Sequence, residues 1–330
     1  MLEERRSEIL RTLVEEYIRS GEPVSSRTID ELSDLGVSTA TIRNELASLE
    51  RDGYVVQPHT SAGRVPTAAA YRYYVDHLVP SRLRSATQAR IAGFFGSVHL
   101  ELSKLLKATS RLLADVTELP SVVVAPGVAG EQVRDVHLVH LTPEQVLSMV
   151  VTEHGRVLQE QIRMERPIDA EELGEAERAV KAATAGALVG SRVELTDDQR
   201  SILGENVWTV ATSVIGMIER AASADSDVFV DGTRQMATVW EDLSEVQRVL
   251  EVVEREAMIL NILARAPGTS ILIGSELPMS DVDMAIVSKT YESGSASGTV
   301  GVIGPMRMNY RRVISAVEEV SRELEDRIQG

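Results

Sequence analysis

Ile9, Leu10, Leu13, Val14, Tyr17 and Ile18 recur at helical spacing and give the first segment one apolar stripe, which ends near Ser20-Gly21. Pro23 follows, and Ser25 and Ser26 are candidate N-caps for a short helix carrying Ile29 and Leu32. Leu35-Gly36-Val37 makes a turn, Ser38 caps a third helix from Thr39 to Asp52, and Gly53 stands where a helix C-terminal glycine belongs. Tyr54-Val55-Val56 reads as a short strand. The polar stretch from Gln57 to Pro66 is a turn-forming loop, and Thr67 to Val79 is another helix, stopped by Pro80. Helix, short helix, turn, helix, strand, loop is the order of a helix-turn-helix with a wing. Three short helices around a small core also occur without any nucleic-acid contact.

Beyond Pro80 the pattern predicts a helical stretch from Thr87 to Glu118, as two helices or one kinked helix, and then the apolar strand Val122-Val123-Val124. Val133 to Leu141, Val146 to Glu153 and Arg156 to Ile162 read as an antiparallel meander, with a hairpin turn at His154-Gly155. From Pro167 the chain turns Ala- and Glu-rich and helical, over 168–190 and again over 196–224. Val228-Phe229-Val230 is an isolated strand, and a helix runs from Leu243 to Ala266. Strands return at Ser270–Ile273, Ala285–Tyr291 and Thr299–Ile303, the last two joined by the loop 292–298, before a final helix from Tyr310 to Ile328. Strands on both sides of a helical segment predict one α+β domain interrupted by an insertion. The expected units are a winged helix over 1–80, a sheet domain over 81–165 and 240–330, and an inserted domain over 166–239.

Composition narrows the chemistry. At 330 residues and 43% hydrophobic side chains the chain can bury sizeable cores, and only 4% of it is aromatic, so those cores rest on aliphatic residues. The absence of Cys excludes disulfides, zinc fingers and thiol nucleophiles. No apolar run approaches the roughly 18 residues of a membrane span, so the expected location is cytoplasmic, away from membranes. His137 and His140 are an odd step apart, so on a strand they point to opposite faces and cannot share a metal. Neither a His cluster nor a Ser nucleophile elbow is present, and Gly301-Val302-Ile303-Gly304-Pro305 lacks dinucleotide spacing. No enzyme activity, metal or cofactor is expected.

The third predicted helix carries the informative face. At about 100° per residue, Ile42, Leu46 and Leu49 share the core side, while Ala40, Asn44, Ala47 and Arg51 lie opposite, flanked by Thr41, Arg43 and Ser48. Small residues allow close approach to a major groove, Asn pairs two ways with adenine, and Arg pairs two ways with guanine. The competing reading makes Asn44 a solvated amide and pairs Arg43 with Glu50 along the helix. It leaves unexplained why this face lacks the Glu and Lys of ordinary surface helices. Charge counts against strong nonspecific binding: the chain carries −16 overall, and residues 1–80 hold nine Arg and no Lys against thirteen Asp and Glu. A local edge of Arg27, Arg43, Arg51 and Arg64, backed by dimerisation, would have to supply the affinity.

Thr41-Ile42-Arg43-Asn44-Glu45-Leu46, Gly53-Tyr54, the run from Pro58 to Thr67, Tyr71 to Asp76 and Ile303 to Tyr310 are more specific than topology. On these motifs the sequence resembles the HrcA family of heat-inducible transcription repressors, nearly end to end and least between about 165 and 240. The resemblance implies a winged-helix domain, a GAF-like domain and an inserted dimerisation domain. It further implies a dimer that represses chaperone and chaperonin operons from an inverted repeat called CIRCE. The same resemblance implies a GroEL-type chaperonin that keeps the repressor active, and release of the operons when heat diverts that chaperonin. In this setting Arg43 and Asn44 would read base edges of double-stranded DNA. Ser38, Thr41 and Ser48 would take phosphate or water-mediated contacts, and His59, Thr60 and Arg64 of the wing would donate to the backbone or minor groove. The chief alternative is a winged-helix regulator switched by a small ligand in its GAF-like sheet, with Gly298 to Pro305 approaching that ligand closely.

Overall fold

The computed structural model describes residues 2–33, 35–59, 62–79, 82–98, 101–193, 195, 200, 202–221, 227–240, 243–254, 263, 268–277, 283–294 and 296–329. The first unit contains α1 (Glu4–Ser20), α2 (Ser26–Leu32), α3 (Thr39–Arg51), the strands β1 (Val55–Val56) and β2 (Val65–Pro66), and α4 (Ala68–Asp76). β1 and β2 pair antiparallel, and Val24 bridges Arg64 at the edge of the hairpin. This is a winged helix, built on the fully buried Ile9, Leu10, Leu13, Ile29, Ile42 and Leu49.

The long helical stretch is two helices, α5 (Ser85–Ser97) and α6 (Leu102–Thr117). They lead into β3 (Ser121–Val124), which sits inside a five-stranded antiparallel sheet with β7 (Val228–Asp231), β8 (Thr269–Ile273), β9 (Ala285–Ser293) and β10 (Ala296–Gly304), in the order β7-β3-β10-β9-β8. Both faces of this sheet are covered, and its inner strand β3 accordingly carries the unbroken apolar run Val122-Val123-Val124, buried throughout. Val123, Val287, Val300 and Val302 face α5, α6 and the last helix α11 (Tyr310–Gln329). Val122, Val124, Ile286 and Ile303 face Met236 of α9 (Met236–Val239), Trp240, and Val249 and Val253 of α10 (Leu243–Glu254). The result is an α+β layer with strands on both sides of an insertion, as the order of elements in the sequence predicts.

Between β3 and β7 the chain leaves this sheet. β4 (Val133–Thr142), β5 (Gln145–Thr152) and β6 (Val157–Arg163) form a separate three-stranded sheet. It packs on α7 (Ala170–Thr184) and α8 (Glu205–Arg220) around a core of its own, from Val128 to Ala221. The expected boundary at 165/166 therefore falls inside one core, and the meander travels with the helices that follow it. The strand over 228–230, read as isolated, is an edge strand of the main sheet, Val230 pairing with Val122 and Val228 with Val124. The segment expected as a loop over 292–298 instead carries β9 and β10 to a tight turn, with Ser293 opposite Ala296. Among the described residues no helix is long and apolar enough to cross a membrane.

One hydrophobic core runs without a break from the winged helix through α5, α6 and α11 to the sheet. Polar clamps reinforce the seam. Arg72 of α4 donates to Glu276 at 2.5 and 2.8 Å and to the Ile271 carbonyl at 2.5 Å, and Arg311 of α11 reaches Glu15 of α1 at 2.9 Å.

Candidate nucleic-acid interface

α3 starts and stops on local signals. Ser38 accepts the Thr41 backbone N–H at 3.2 Å, the ordinary N-cap bond. At the other end the Tyr54 N–H reaches the Leu49 carbonyl at 2.9 Å and the Gly53 N–H reaches the Glu50 carbonyl at 3.1 Å, with Gly53 at φ 80°. This is a Schellman close that needs the left-handed region, where glycine carries no Cβ penalty.

The inner side of α3 holds Ile42, Leu46 and Leu49, as the periodicity demands, together with buried Glu45. Arg5 grips Glu45 at 3.0 and 2.6 Å and Arg6 at 3.0 Å, fastening α3 to the start of α1. The hydrogen bond from Arg5, with that from Arg6, outweighs burial and holds the Glu45 carboxyl below its usual range. The sequence contained a signal for this contact that composition alone hides: Glu45 stands one turn after Ile42, on the apolar side, where a carboxylate requires a cation.

The outer side is different. Ala40, Arg43, Asn44, Ala47 and Arg51 are exposed, with Thr41 and Ser48 half-buried beside them. The other arginines expected to make a basic edge are engaged: Arg27 with Glu31 at 2.9 Å, Arg51 with Ser48 at 2.9 Å, and Arg64 with Glu50 at 2.9 Å. Among the described residues, no hydrogen bond or ion pair holds Arg43 or Asn44. Glu50, the partner proposed for Arg43 in the competing reading, is occupied by Arg64 instead.

In the wing, Ala62 donates to the His59 carbonyl at 2.9 Å and Gln57 Nε2 to the Ala62 carbonyl at 3.0 Å. His59 is exposed, and Thr60 lies outside the described residues. Gly63 is required for a reason other than turn conformation: a Cβ there would collide with the Val24 carbonyl, across which Val24 and Arg64 exchange backbone hydrogen bonds of 2.9 and 2.8 Å. Arg64, expected as a donor to DNA, is 17% exposed and paired with Glu50, a contact that ties the wing to α3.

Residues 1–76 match the family model for the winged helix-turn-helix transcription repressor, HrcA DNA-binding, and residues 103–314 match that for the HrcA protein C terminal domain. The chain is 36% identical to the heat-inducible transcription repressor HrcA of Acidothermus cellulolyticus, over 98% of this chain and 97% of that one. The chain belongs to the HrcA family. Its likeness extends to the Parafrankia sp. HrcA repressor, at 35% identity over 98% of this chain and 97% of that one. With the HrcA repressor of Clostridium perfringens it is 31% identical over the full length of both. These HrcA relatives are named as transcription repressors, not as enzymes. Among solved structures, a hypothetical protein crystallised at 2.2 Å resolution shares the fold, with a TM-score of 0.63 and 23% identity over 99% of each chain.

His137 and His140, set aside above as metal ligands, both lie on β4. His137 is 3.2 Å from Asp135, and the His140 ring meets the Ile168 carbonyl at 3.0 Å. The close approach at Gly298, which the ligand-switched alternative assigned to a small molecule, is made by the Tyr291 ring, whose hydroxyl donates to the Val124 carbonyl at 2.9 Å.

Proposed function

We propose that this HrcA-family chain works in the cytoplasm as a homodimer that represses chaperone and chaperonin operons from an inverted repeat of CIRCE type. The observation that carries this reading is the open outer face of α3, where the exposed side chains of Arg43 and Asn44 have no hydrogen-bond or ion-pair partner among the described residues on a helix anchored through Glu45 and Glu50. Arg43 and Asn44 read base edges, and Ser38, Thr41 and Ser48 meet phosphates at the helix N-terminus and flank. His59 and Thr60 lie along the backbone from the wing, which Arg64 holds in register. With so few uncommitted cations each half-site binds weakly, and pairing two of them raises affinity through effective concentration.

The open face of the β4-β5-β6 sheet supports pairing with a second copy. Val139, Leu141 and Val157 are 40%, 45% and 54% exposed there, beside half-buried Leu147 and Met149. An apolar face of this kind calls for a cover. In the full circuit the dimer is kept competent by a GroEL-type chaperonin and loses its operator when heat diverts that chaperonin to unfolded chains.

The test is a mobility shift on an inverted repeat from upstream of chaperone genes, with and without chaperonin, before and after mild heating. The expected result is one symmetric complex that heating removes and chaperonin restores. Equal binding to a scrambled repeat would overturn the operator assignment.

A further inference from the structure

A cavity of about 440 Å³ opens at the seam between the winged helix and the sheet domain. Arg82 and Arg84 of the connector after α4 and Arg311 and Arg312 of the first turn of α11 line it, against the single carboxylate of Glu118. Four guanidinium groups around one hollow repel each other unless anions lie between them. In a chain of net charge −16 such a concentration of positive charge is out of keeping with the rest of the surface.

The four are unequally satisfied. Arg311 donates to Glu15 at 2.9 Å and to the Tyr74 hydroxyl at 3.3 Å. Arg312 donates to the Val116 carbonyl at 2.7 Å and to Glu118 at 2.9 Å. Among the described residues, no side-chain hydrogen bond or ion pair holds Arg82 or Arg84, and both are exposed. Glu118 is itself unusual. At φ 62° it is the non-glycine residue with positive φ among the described residues, closing α6 by donating to the Ala114 carbonyl at 2.8 Å. A side chain held there costs about 1 kcal/mol relative to glycine, so the backbone is strained where the carboxylate is presented to the cavity. The Arg312–Glu118 pair is 44% and 73% exposed, a solvent-screened contact that a better anion displaces readily.

We propose that this cavity is a binding site for a small phosphorylated metabolite carrying two or more phosphate groups. Arg82, Arg84 and Arg312 hold its phosphates, and Glu118 is the built-in carboxylate that the ligand displaces from Arg312. Planar guanidinium forks match phosphate oxygens two at a time, and the volume lies within the range of small-molecule sites. The arginines line one hollow to which no residue of α3 contributes, which favours a compact ligand over a DNA backbone. Arg311 stands beside Arg312 on the same helical turn and is tied to α1 and α4, so a bound phosphate competes with Glu15 for it and bears on how the winged helix sits. That coupling rests on the repressor reading. The binding does not.

The experiment is isothermal titration calorimetry of the full chain with inorganic pyrophosphate and, separately, with ATP. One site per chain is expected. The double variant Arg82→Gln/Arg84→Gln should weaken binding at least tenfold, and Glu118→Gln should tighten it several-fold by removing the competing carboxylate. Arg90→Gln, on α5 outside the cavity, should leave it unchanged. No binding of either probe at millimolar concentration, or unaltered binding in the double variant, would overturn the site. Loss of operator affinity in the double variant, with no pyrophosphate binding by the parent, would assign these arginines to DNA instead.

Discussion

On the inner side of α3, Glu45 takes Arg5 and Arg6 and, at the base of the wing, Glu50 takes Arg64, whereas on the outer side Arg43 and Asn44 meet nothing among the described residues. The same helix thus spends its acids on positioning and leaves uncommitted the side chains proposed for recognition. This explains how so acidic a domain can address DNA. Two of its carboxylates, Glu45 and Glu50, are spent in fixing α3 and the wing. A helix held from behind at two points loses little freedom on docking, which is the usual route from weak contacts to useful affinity.

Substitutions on the anchoring side should damage stability, and those on the open side should damage only recognition. The largest effect belongs to Gly63→Ala. A methyl group against the Val24 carbonyl must part the Val24–Arg64 bridge, at about 3 kcal/mol of stability in urea unfolding, in the range of overpacked sites. Glu45→Ala comes next, at about 2 kcal/mol, because it strips two guanidinium groups of their buried acceptor. The sign of the pH dependence follows from the lowered Glu45 pKa. Its contribution is complete above the ordinary carboxylate range and disappears as pH falls through the lowered value, so wild type and Glu45→Ala should converge in stability on acidification. Ser38→Ala removes one N-cap bond and should cost about 1 kcal/mol in the same unfolding assay. Asn44→Ala should leave stability within about 0.5 kcal/mol of wild type, as exposed substitutions do. A large loss of stability in Asn44→Ala would erase the contrast between the two sides.

The winged helix was legible because its signals are local: Ser25 and Ser38 cap where serine before a periodic run should cap, and Gly53 closes α3 within five residues of Leu49. The Arg64–Glu50 pair is not legible in the sequence, because its two residues lie on different elements and nothing in the spacing announces it. The domain boundary failed for the same reason on a larger scale. The change of composition at Pro167 marks where helices begin, but the unit begins before the meander, at Val128. Four-residue β7 belongs to the main sheet only through pairing with β3, more than a hundred positions earlier, which no local pattern encodes. Gly298 looked like room for a ligand, and its space is taken by Tyr291, two strand positions from the turn.

The most direct test compares Asn44→Ala with wild type on a panel of inverted repeats in which each base of the half-site is changed in turn. A loss of about 1–3 kcal/mol on the matched repeat, with indifference to the base at one position and unchanged affinity for unrelated duplexes, is the predicted result. If wild type and Asn44→Ala bind every member of the panel alike, the outer face of α3 does not enter the groove.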